Sequence, residues 1–332
     1  MRYSLGHIYI YLSAYLHMFT EQHALTTFYV VGASNVVTVP VDSEGRMIPS
    51  ALREAIARAE SSGGTPLYVN ATAGTTVHGS YDPFDAIADV CAGGAGGRRR
   101  LWLHVDGAWG GSAVFSARQL ARGQLRGVER ADSVAVNPHK MLNVPVTCSF
   151  LLTPDLRVFH RANTLPAGYL FHGGGGGDDA DDTTNTTTWD LADQTLQCGR
   201  RGDALKLALA WTYYGTAGLA ARVDAGFAAA ARLAELVQAS PDLALLSPRP
   251  PPCLQVCFYY APGGRVAEAA AENTRRTREI AARLVPRGFM VDYAPGPSGS
   301  FFRVVVNSQT LRGTLEGLVR ALGEVGREVV KE

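Results

Sequence analysis

Short apolar runs alternate with longer amphipathic segments along the first half of the chain. Val36 to Val41 (VVTVPV) has the composition of a strand, and a segment with helical spacing runs from Pro49 to Arg58. Further buried strands are predicted at Leu67 to Val69 and at Leu101 to Val105. An alternation of strands and helices of this kind predicts a mostly parallel sheet with helices on both faces.

The pattern continues with one more helix and two more strands. Asp82 and Pro83 are predicted to begin a helix, with Asp82 as its N-cap, and helical spacing continues from Phe84 to Cys91. Ser133 to Val136 and Ser149 to Leu152 have the composition of strands. Ligands of such sheets lie beyond the carboxyl ends of the strands, so polar residues that follow these strands are candidates for a site.

The second half of the chain predicts a smaller unit. Ala204 to Tyr214 and Leu219 to Ala239 have helical spacing, and strands and helices alternate after them. The later predicted elements are Leu254 to Tyr260, Asn273 to Leu284, Phe301 to Val306 and Thr314 to Val330. We therefore predict a large domain over residues 1–214 and a small α+β C-terminal domain over residues 215–332.

Two stretches depart from this organisation. Residues 172–190 contain five consecutive glycines, Gly173 to Gly177, followed by aspartates and threonines, and they predict a mobile loop. Residues 1–35 are interpreted as an aberrant or truncated start, so the sheet is expected to be incomplete at its N-terminus. Ile8 to Phe19 is apolar, but it is too short to span a bilayer, so no membrane association is expected.

The overall composition excludes several classes of protein. The chain of 332 residues is 46% hydrophobic and 18% charged, as soluble globular proteins are. Because 31 Lys and Arg residues stand against 30 Asp and Glu residues, nucleic acid is not an expected partner. Five cysteines without a CxxC pair indicate neither a disulfide framework nor a zinc site, and a cytoplasmic location is expected.

Two residues at predicted strand ends suggest a specific chemistry when they are taken together. Asp106 follows a buried strand, and Lys140 follows another strand behind Asn137, Pro138 and His139. Alone, such an aspartate is usually a helix cap or an ion-pair partner, and such a lysine is usually a solvated surface charge. A pyridoxal-phosphate (PLP) site needs a lysine amine for the Schiff base and a carboxylate that keeps the pyridine nitrogen protonated. The pair satisfies both requirements.

Four motifs occur in order along the chain with the spacing of a known family. They are Asn70 to Thr76 (NATAGTT), His104 to Gly111 (HVDGAWGG), Asn137 to Lys140 (NPHK) and Gln197 to Arg200 (QCGR). Together they resemble the group II PLP-dependent amino-acid decarboxylases, most of all the glutamate and cysteine sulfinate decarboxylase branch. The resemblance implies a PLP-dependent transferase-like fold (fold type I), with an α/β large domain and a small α+β C-terminal domain.

The resemblance assigns roles to individual residues around the cofactor. These are Lys140 (covalent link), Asp106 (pyridine nitrogen), Ala108 (ring face), Thr76 (phenolic oxygen), and Asn137 and His139 (phosphate). Tyr169 matches the lid tyrosine that returns a proton to the substrate, and Arg303 matches the arginine that binds the α-carboxylate. His23 is a candidate for the histidine that stacks on the ring, and an unrelated histidine in a misaligned stretch is the alternative.

The function that the resemblance implies is PLP-dependent α-decarboxylation of an acidic L-amino acid: glutamate, cysteine sulfinate or aspartate. Trp109 and the QCGR motif favour the acidic branch over the aromatic one. The family forms its sites at a dimer interface, so a homodimer is expected. A catalytically inactive fragment that heterodimerises with a full-length relative is the main alternative. A PLP aminotransferase or carbon–sulfur lyase is a further alternative, against which Tyr169 and Arg303 argue.

Overall fold

The structure is a computed structural model that describes residues 8–13, 35–93, 100–163, 194–195 and 199–331. Within these residues the strands form one sheet of six strands and one sheet of four. The strands are β1 (Ile8–Ser13), β2 (Val36–Val39), β3 (Thr65–Thr72), β4 (Trp102–Gly107), β5 (Ser133–Val136), β6 (Phe150–Leu152), β7 (Leu243–Leu245), β8 (Gln255–Tyr260), β9 (Asp292–Ala294) and β10 (Phe301–Val305). The helices are α1 (Pro49–Ser61), α2 (Phe84–Cys91), α3 (Ala117–Leu120), α4 (Pro138–Met141), α5 (Arg157–Asn163), α6 (Asp203–Ala239), α7 (Ala270–Leu284) and α8 (Arg312–Lys331).

The larger sheet is mostly parallel, as predicted. Its strand order is β2-β1-β3-β4-β5-β6, in which β1 to β5 run parallel and β6 runs antiparallel to β5. The predicted strands from β2 to β6 are all present, with ends that differ by a few residues. Residues 8–13, which the sequence interpretation assigned to an aberrant start, form strand β1 between β2 and β3. That strand was missed, although isoleucine and tyrosine both favour strands.

The two faces of the larger sheet differ in polarity. On β4, Leu103, Val105 and Gly107 are buried, whereas the alternate residues His104 and Asp106 are half-buried. Register partners in neighbouring strands lie on the same face of a sheet, and His104 pairs with Asn70 while Asp106 pairs with Thr72. One face of the sheet therefore contributes to the apolar core, and the other carries a row of polar side chains that leads to the strand ends.

Asp82 does not have the role that its position predicted. Helix α2 begins after Pro83 and has no side-chain cap. The carboxylate of Asp82 instead accepts hydrogen bonds from the backbone amides of Met47, at 2.6 Å, and Thr72, at 2.7 Å. The backbone of Asp82 also bonds to Thr72, from its amide to the Thr72 carbonyl at 3.0 Å, which directs the side chain inward. Asp82 therefore fastens the end of β3 to the turn before α1.

Helix α6 contains the two helices that the sequence predicted. They are joined at Gly215, whose backbone angles (φ 67°, ψ 172°) are not helical. A positive φ of this size favours glycine, because a Cβ would clash with the backbone. The kink coincides with the predicted boundary between residues 214 and 215, and the division of the chain into two domains stays a prediction.

The smaller sheet is antiparallel, with strand order β7-β8-β10-β9. All six residues of β8 are buried. Apolar side chains from the C-terminal part of α6 and from α7 and α8 form one core with this sheet, which includes Leu233, Ile280, Leu322 and Phe258. The predicted helix and strand positions after residue 254 are confirmed within a few residues at their ends.

Two further features concern the chemistry expected of the chain as a whole. Four cysteines in the described ranges are buried: Cys91, Cys148, Cys253 and Cys257. Across the same ranges, no helix is both long enough and apolar enough to cross a membrane.

Candidate active site

The loops that follow β3, β4 and β5 meet at one edge of the larger sheet. Backbone contacts hold the first two loops together, because the amide of Gly110 donates to the Ala73 carbonyl at 2.8 Å. A Cβ on Gly74 would lie 2.8 Å from the Gly110 amide nitrogen, and a Cβ on Gly110 would lie 2.6 Å from the Ala73 carbonyl oxygen. Neither position has room for a side chain, so the two loops pack as one unit.

Asp106 lies at the end of β4, on the polar face of the sheet. Its carboxylate is half-buried and accepts a hydrogen bond from the Ala108 amide at 3.0 Å. The charge acts beyond its own strand: burial raises the pKa of Tyr68, and the Asp106 carboxylate raises it further. The Asp106 carboxylate therefore acts on a neighbouring group of the polar face.

Lys140 lies in α4, directly after β5. Pro138 begins that short helix, and the amide of Lys140 donates to the Asn137 carbonyl at 2.9 Å. Burial lowers the pKa of the Lys140 amine, the nearby Arg303 lowers it further, and Asp106 opposes both. A lowered pKa increases the fraction of neutral amine, which is the nucleophilic form. The chain contains only two other lysines, Lys206 and Lys331.

Arg303 enters the same region from the smaller sheet. Its Nε donates to the Thr76 carbonyl at 2.6 Å, and its Nη1 lies 3.4 Å from a carboxylate oxygen of Asp292. Asp292 is the register partner of Arg303 across β9 and β10. The Arg303 side chain is only 11% exposed, whereas that of Asp292 is 60% exposed. Burial lowers the pKa of Arg303, and the Asp292 carboxylate raises it.

The indole ring of Trp109 lies beside both cations. Lys140 Nζ is 4.9 Å from the ring centroid, and the guanidinium carbon of Arg303 is 5.8 Å from it. Both distances are within the range of a cation–π interaction. Trp109 therefore links the lysine of the larger sheet to the arginine of the smaller one.

The remaining predicted residues fall into two groups. Asn137 and His139 precede Lys140 in sequence and are half-buried. His139 Nδ1 lies 2.7 Å from the Cys148 carbonyl oxygen and 3.1 Å from the Cys148 amide nitrogen, so the backbone of residue 148 fixes the imidazole. Tyr169 and His23 lie outside the described residues, and their assigned roles stay predictions.

The polar groups at this edge fit a PLP molecule. The site offers a half-buried amine, a half-buried carboxylate and the small side chain of Ala108 between two packed loops. Two buried polar atoms on the same sheet face, Asn70 Nδ2 and Thr72 Oγ1, have no hydrogen-bond partner among the residues that the structure describes. Buried polar atoms without partners are rare in native proteins, and they suggest that a polar ligand belongs beside this face.

Sequence reasoning missed Asp292 and the ionic contact that it makes. The aspartate stands in a short strand that no motif marks, and its neighbour Arg303 is eleven positions away. Only the register of β9 with β10 brings the two together. A charged residue predicted opposite Arg303 in a hairpin would have been the available signal.

Comparison with known proteins identifies the family. The family model described as the pyridoxal-dependent decarboxylase conserved domain matches residues 5–261. The chain belongs to this family. Membership confirms the predicted resemblance, and it confirms pyridoxal 5′-phosphate as the cofactor of the family.

Several curated relatives in the pyridoxal-dependent decarboxylase family act on acidic amino acids, according to their names. An L-aspartate decarboxylase of Metarhizium robertsii is 54% identical over 321 residues, which cover 97% of this chain and 60% of that protein. The human cysteine sulfinic acid decarboxylase is 38% identical over 311 residues, which cover 91% of this chain and 60% of that protein. The chain thus spans about 60% of the length of these relatives.

Solved structures of pyridoxal-dependent decarboxylases share the fold. The crystal structure of mouse CSAD matches with a TM-score of 0.81 and 34% identity, covering 97% of this chain and 64% of that one. The structure of Oryza sativa TDC with PLP and tryptamine matches with a TM-score of 0.83 and 27% identity, covering 98% and 63%. The predicted α/β fold, consistent with fold type I, is confirmed.

Proposed function

We propose that the chain carries out PLP-dependent α-decarboxylation of an acidic L-amino acid, with Lys140 as the residue that binds the cofactor covalently. The observation that carries the proposal is the position of the Lys140 amine. It lies half-buried at the carboxyl edge of a parallel sheet, within the electrostatic reach of Asp106 and Arg303. This is where α/β sheets bind their ligands.

The residues that would hold the cofactor have complementary tasks. The Lys140 amine would bind its aldehyde carbon, Asp106 would place negative charge beside its ring nitrogen, and Ala108 would leave space at the ring face. Thr76 would lie near its phenolic oxygen, and Asn137 and His139 would lie near its phosphate. When bound, PLP supplies an electron sink for the electron pair that departing carbon dioxide leaves behind.

Arg303 is proposed to bind the α-carboxylate of the substrate. A guanidinium offers two parallel N–H donors to a carboxylate, a geometry that lysine lacks. The hydrogen bond from Nε to the Thr76 carbonyl fixes the side chain, and the ligand would compete with Asp292 for Nη1. Tyr169 is proposed, from the sequence, as the donor of the proton that replaces the carboxyl group at Cα.

The substrate class is proposed from the relatives and the charges of the site. L-aspartate decarboxylase, cysteine sulfinic acid decarboxylase and the acidic amino acid decarboxylase GADL1 of Mus musculus are 54%, 38% and 35% identical to the chain. Two cations, Lys140 and Arg303, lie at one ring of the site and favour an anionic ligand. We also propose a cytoplasmic location and a homodimer, or a heterodimer with a full-length relative.

The test of the proposal maps the cofactor to one lysine. The purified chain is incubated with PLP, reduced with borohydride, digested and analysed by mass spectrometry. We expect the pyridoxyl group on Lys140 alone. The chain contains only two other lysines, Lys206 and Lys331, so the position of the label is simple to assign. The label should vanish in Lys140→Ala and persist in Lys206→Arg, which preserves the charge that pairs with Asp203.

The same preparation distinguishes the enzyme from an inactive subunit. Release of carbon dioxide from aspartate, glutamate and cysteine sulfinate, but not from an aromatic amino acid, would support the proposed activity. A folded chain that carries no label on Lys140 and releases no carbon dioxide would contradict it. A chain that becomes labelled only after mixing with a full-length relative would instead favour the heterodimer.

A further inference from the structure

Among the residues that the structure describes, the Trp109 ring lies close to both cations of the site. Lys140 Nζ and the Arg303 guanidinium carbon lie 4.9 Å and 5.8 Å from its centroid. We propose that Trp109 is a positioning residue that holds the Lys140 ammonium beside Arg303 whenever the lysine is not covalently bound. The proposal deepens the proposed function, since it takes Lys140 as the reactive amine.

The surroundings of Lys140 explain why a ring would be needed. Within the described part of the chain, no carboxylate lies within ion-pair distance of Nζ, and burial disfavours its charge. Arg303 adds repulsion, which Asp106 offsets. A partly dehydrated ammonium is attracted to the negative face of an indole ring more strongly than a hydrated one. The ring face of Trp109 therefore stabilises the charged amine where solvent cannot.

The base of the Trp109 side chain is held in place by the packing of the loops. The Cβ of Trp109 would lie 3.3 Å from a Cβ on Gly74, so the loop after β3 packs against the base of the side chain. Arg303 is fixed on the other side by its hydrogen bond to the Thr76 carbonyl. Two anchored groups thus define one location for the mobile Lys140 side chain.

A free lysine that stays in one place has a direct use in the proposed reaction. The amine that the incoming substrate displaces must return to the same carbon before the next turnover. A flexible side chain with four rotatable bonds would otherwise sample many positions. Trp109 restricts that search without forming a hydrogen bond that would have to break.

The test changes the electrostatics of the ring and leaves its shape unchanged. Tryptophans with one, two or three fluorine atoms are incorporated at position 109 of the full chain, prepared without PLP. Fluorine withdraws charge from the ring face and weakens a cation–π interaction. Trace acetylation of the three lysines over a range of pH, followed by mass spectrometry, reports the pKa of each.

We expect the pKa of Lys140 to fall stepwise with each fluorine, by about 0.5 to 1.5 units over the series. Lys206 and Lys331 serve as controls within each sample and should not respond. The same substitutions at Trp211, whose ring packs edge-on against Phe115, should leave Lys140 unchanged. An unchanged or rising pKa of Lys140 overturns the proposal, and so does an equal response to fluorination at Trp211.

This measurement and the cofactor-labelling experiment can fail separately. The acetylation series uses no cofactor, so it tests the contact between Trp109 and Lys140 whether or not the chain becomes labelled. A labelled Lys140 whose pKa is insensitive to the fluorination of Trp109 would leave the proposed function intact and remove the positioning role.

Discussion

Beside each sheet, a buried polar side chain binds the backbone of neighbouring segments. Near the larger sheet this side chain is ionisable, and near the smaller sheet it is neutral. Near the larger sheet it is Asp82, whose carboxylate accepts hydrogen bonds from two backbone N–H groups. Beside the smaller sheet it is Asn273, an amide that donates to the carbonyls of Ala267 and Ser298 and accepts from the Ala267 amide. The Asp82 carboxyl can gain or lose a proton, whereas the Asn273 amide cannot. The half of the molecule that carries the site is therefore the half whose stability should respond to pH.

A second difference concerns what each sheet contributes to chemistry. Among the buried residues that the structure describes, Asp82 is the one carboxylate, and it lies in a loop that binds the end of β3 in the larger sheet. The smaller sheet has a buried apolar centre strand and offers one side chain, Arg303, to the site. The larger sheet thus carries Asp106 and leads into Lys140, whereas the smaller sheet carries Arg303.

The largest expected effect on stability is that of Asn273→Asp, which places an ionisable carboxyl where the smaller unit has a neutral amide. The introduced carboxylate would face two carbonyl oxygens as an acceptor and would lose both donated hydrogen bonds. We expect the free energy of unfolding at neutral pH to fall by about 3–5 kcal/mol, as for other uncompensated buried charges. Urea denaturation measures the loss.

The loss should become smaller as pH falls, because protonation restores a donor and removes the charge. Asn273→Ser, which is neutral, serves as the control and should destabilise the chain equally at all pH values. An equal cost of Asn273→Asp at pH 4 and pH 7 would contradict the assigned role of the amide.

The reciprocal change, Asp82→Asn, tests how the ionisable carboxyl of Asp82 contributes to stability. Burial raises the pKa of Asp82 from 3.8 to about 6, so the folded chain holds this proton more tightly than the unfolded chain. Stability from this group is complete below pH 3.8 and is lost as pH rises towards 6. A shift of this size corresponds to about 3 kcal/mol of stability, an order-of-magnitude value.

We therefore expect the unfolding free energy of Asp82→Asn, relative to the unchanged chain, to improve by about 3 kcal/mol between pH 4 and pH 7. A constant loss is superimposed, since an amide oxygen accepts only one of the two backbone N–H groups. Urea denaturation at pH 4, 5, 6 and 7 separates the two terms. Parallel stability curves for the two proteins would show that Asp82 does not titrate in this range.

The smallest expected effect concerns the contribution of the smaller sheet to substrate binding. Asp292 occupies part of the Arg303 guanidinium, so a substrate carboxylate that binds Arg303, as we propose, would have to compete with it. Because Asp292 is largely exposed, the pair should be weak, and Asp292→Asn should lower KM about 2- to 5-fold with kcat nearly unchanged. Steady-state kinetics measures both constants.

Glu324→Gln provides the control, because it removes the charge of another exposed ion pair of the smaller unit, that with Arg287. It should leave KM unchanged. A KM that does not respond to Asp292→Asn would mean that the carboxylate does not compete for Arg303.

Most of the fold was predictable from local patterns. Strands β2 to β6 and the helices after residue 203 follow runs of apolar residues with clear spacing, so their positions are confirmed and only their ends differ. Strand β1 was missed because the segment was interpreted as part of an aberrant start. The prediction that Asp82 caps α2 was wrong, because its carboxylate binds backbone amides in β3 and before α1, which are distant in sequence.

Site residues that stand in short motifs could be predicted from the sequence. Contacts that depend on the tertiary structure could not. Lys140 and Asp106 stand in compact motifs at strand ends, so sequence sufficed to propose them. The contacts of Arg303 with Thr76 and Asp292 depend on how the two sheets meet, which no local pattern encodes. The roles assigned to Tyr169 and His23 stay predictions.

The contact between Gly74 and Gly110 also has a consequence for altering the substrate range by mutagenesis. Libraries that randomise residues 73–76 or 108–111 would mostly contain chains in which one loop displaces the other, since neither glycine tolerates a side chain. Diversity placed instead at Asp292, on the edge strand β9, would change the neighbours of Arg303 while the loops stay in place. Changes of substrate range are therefore better directed at the smaller sheet than at the two packed loops.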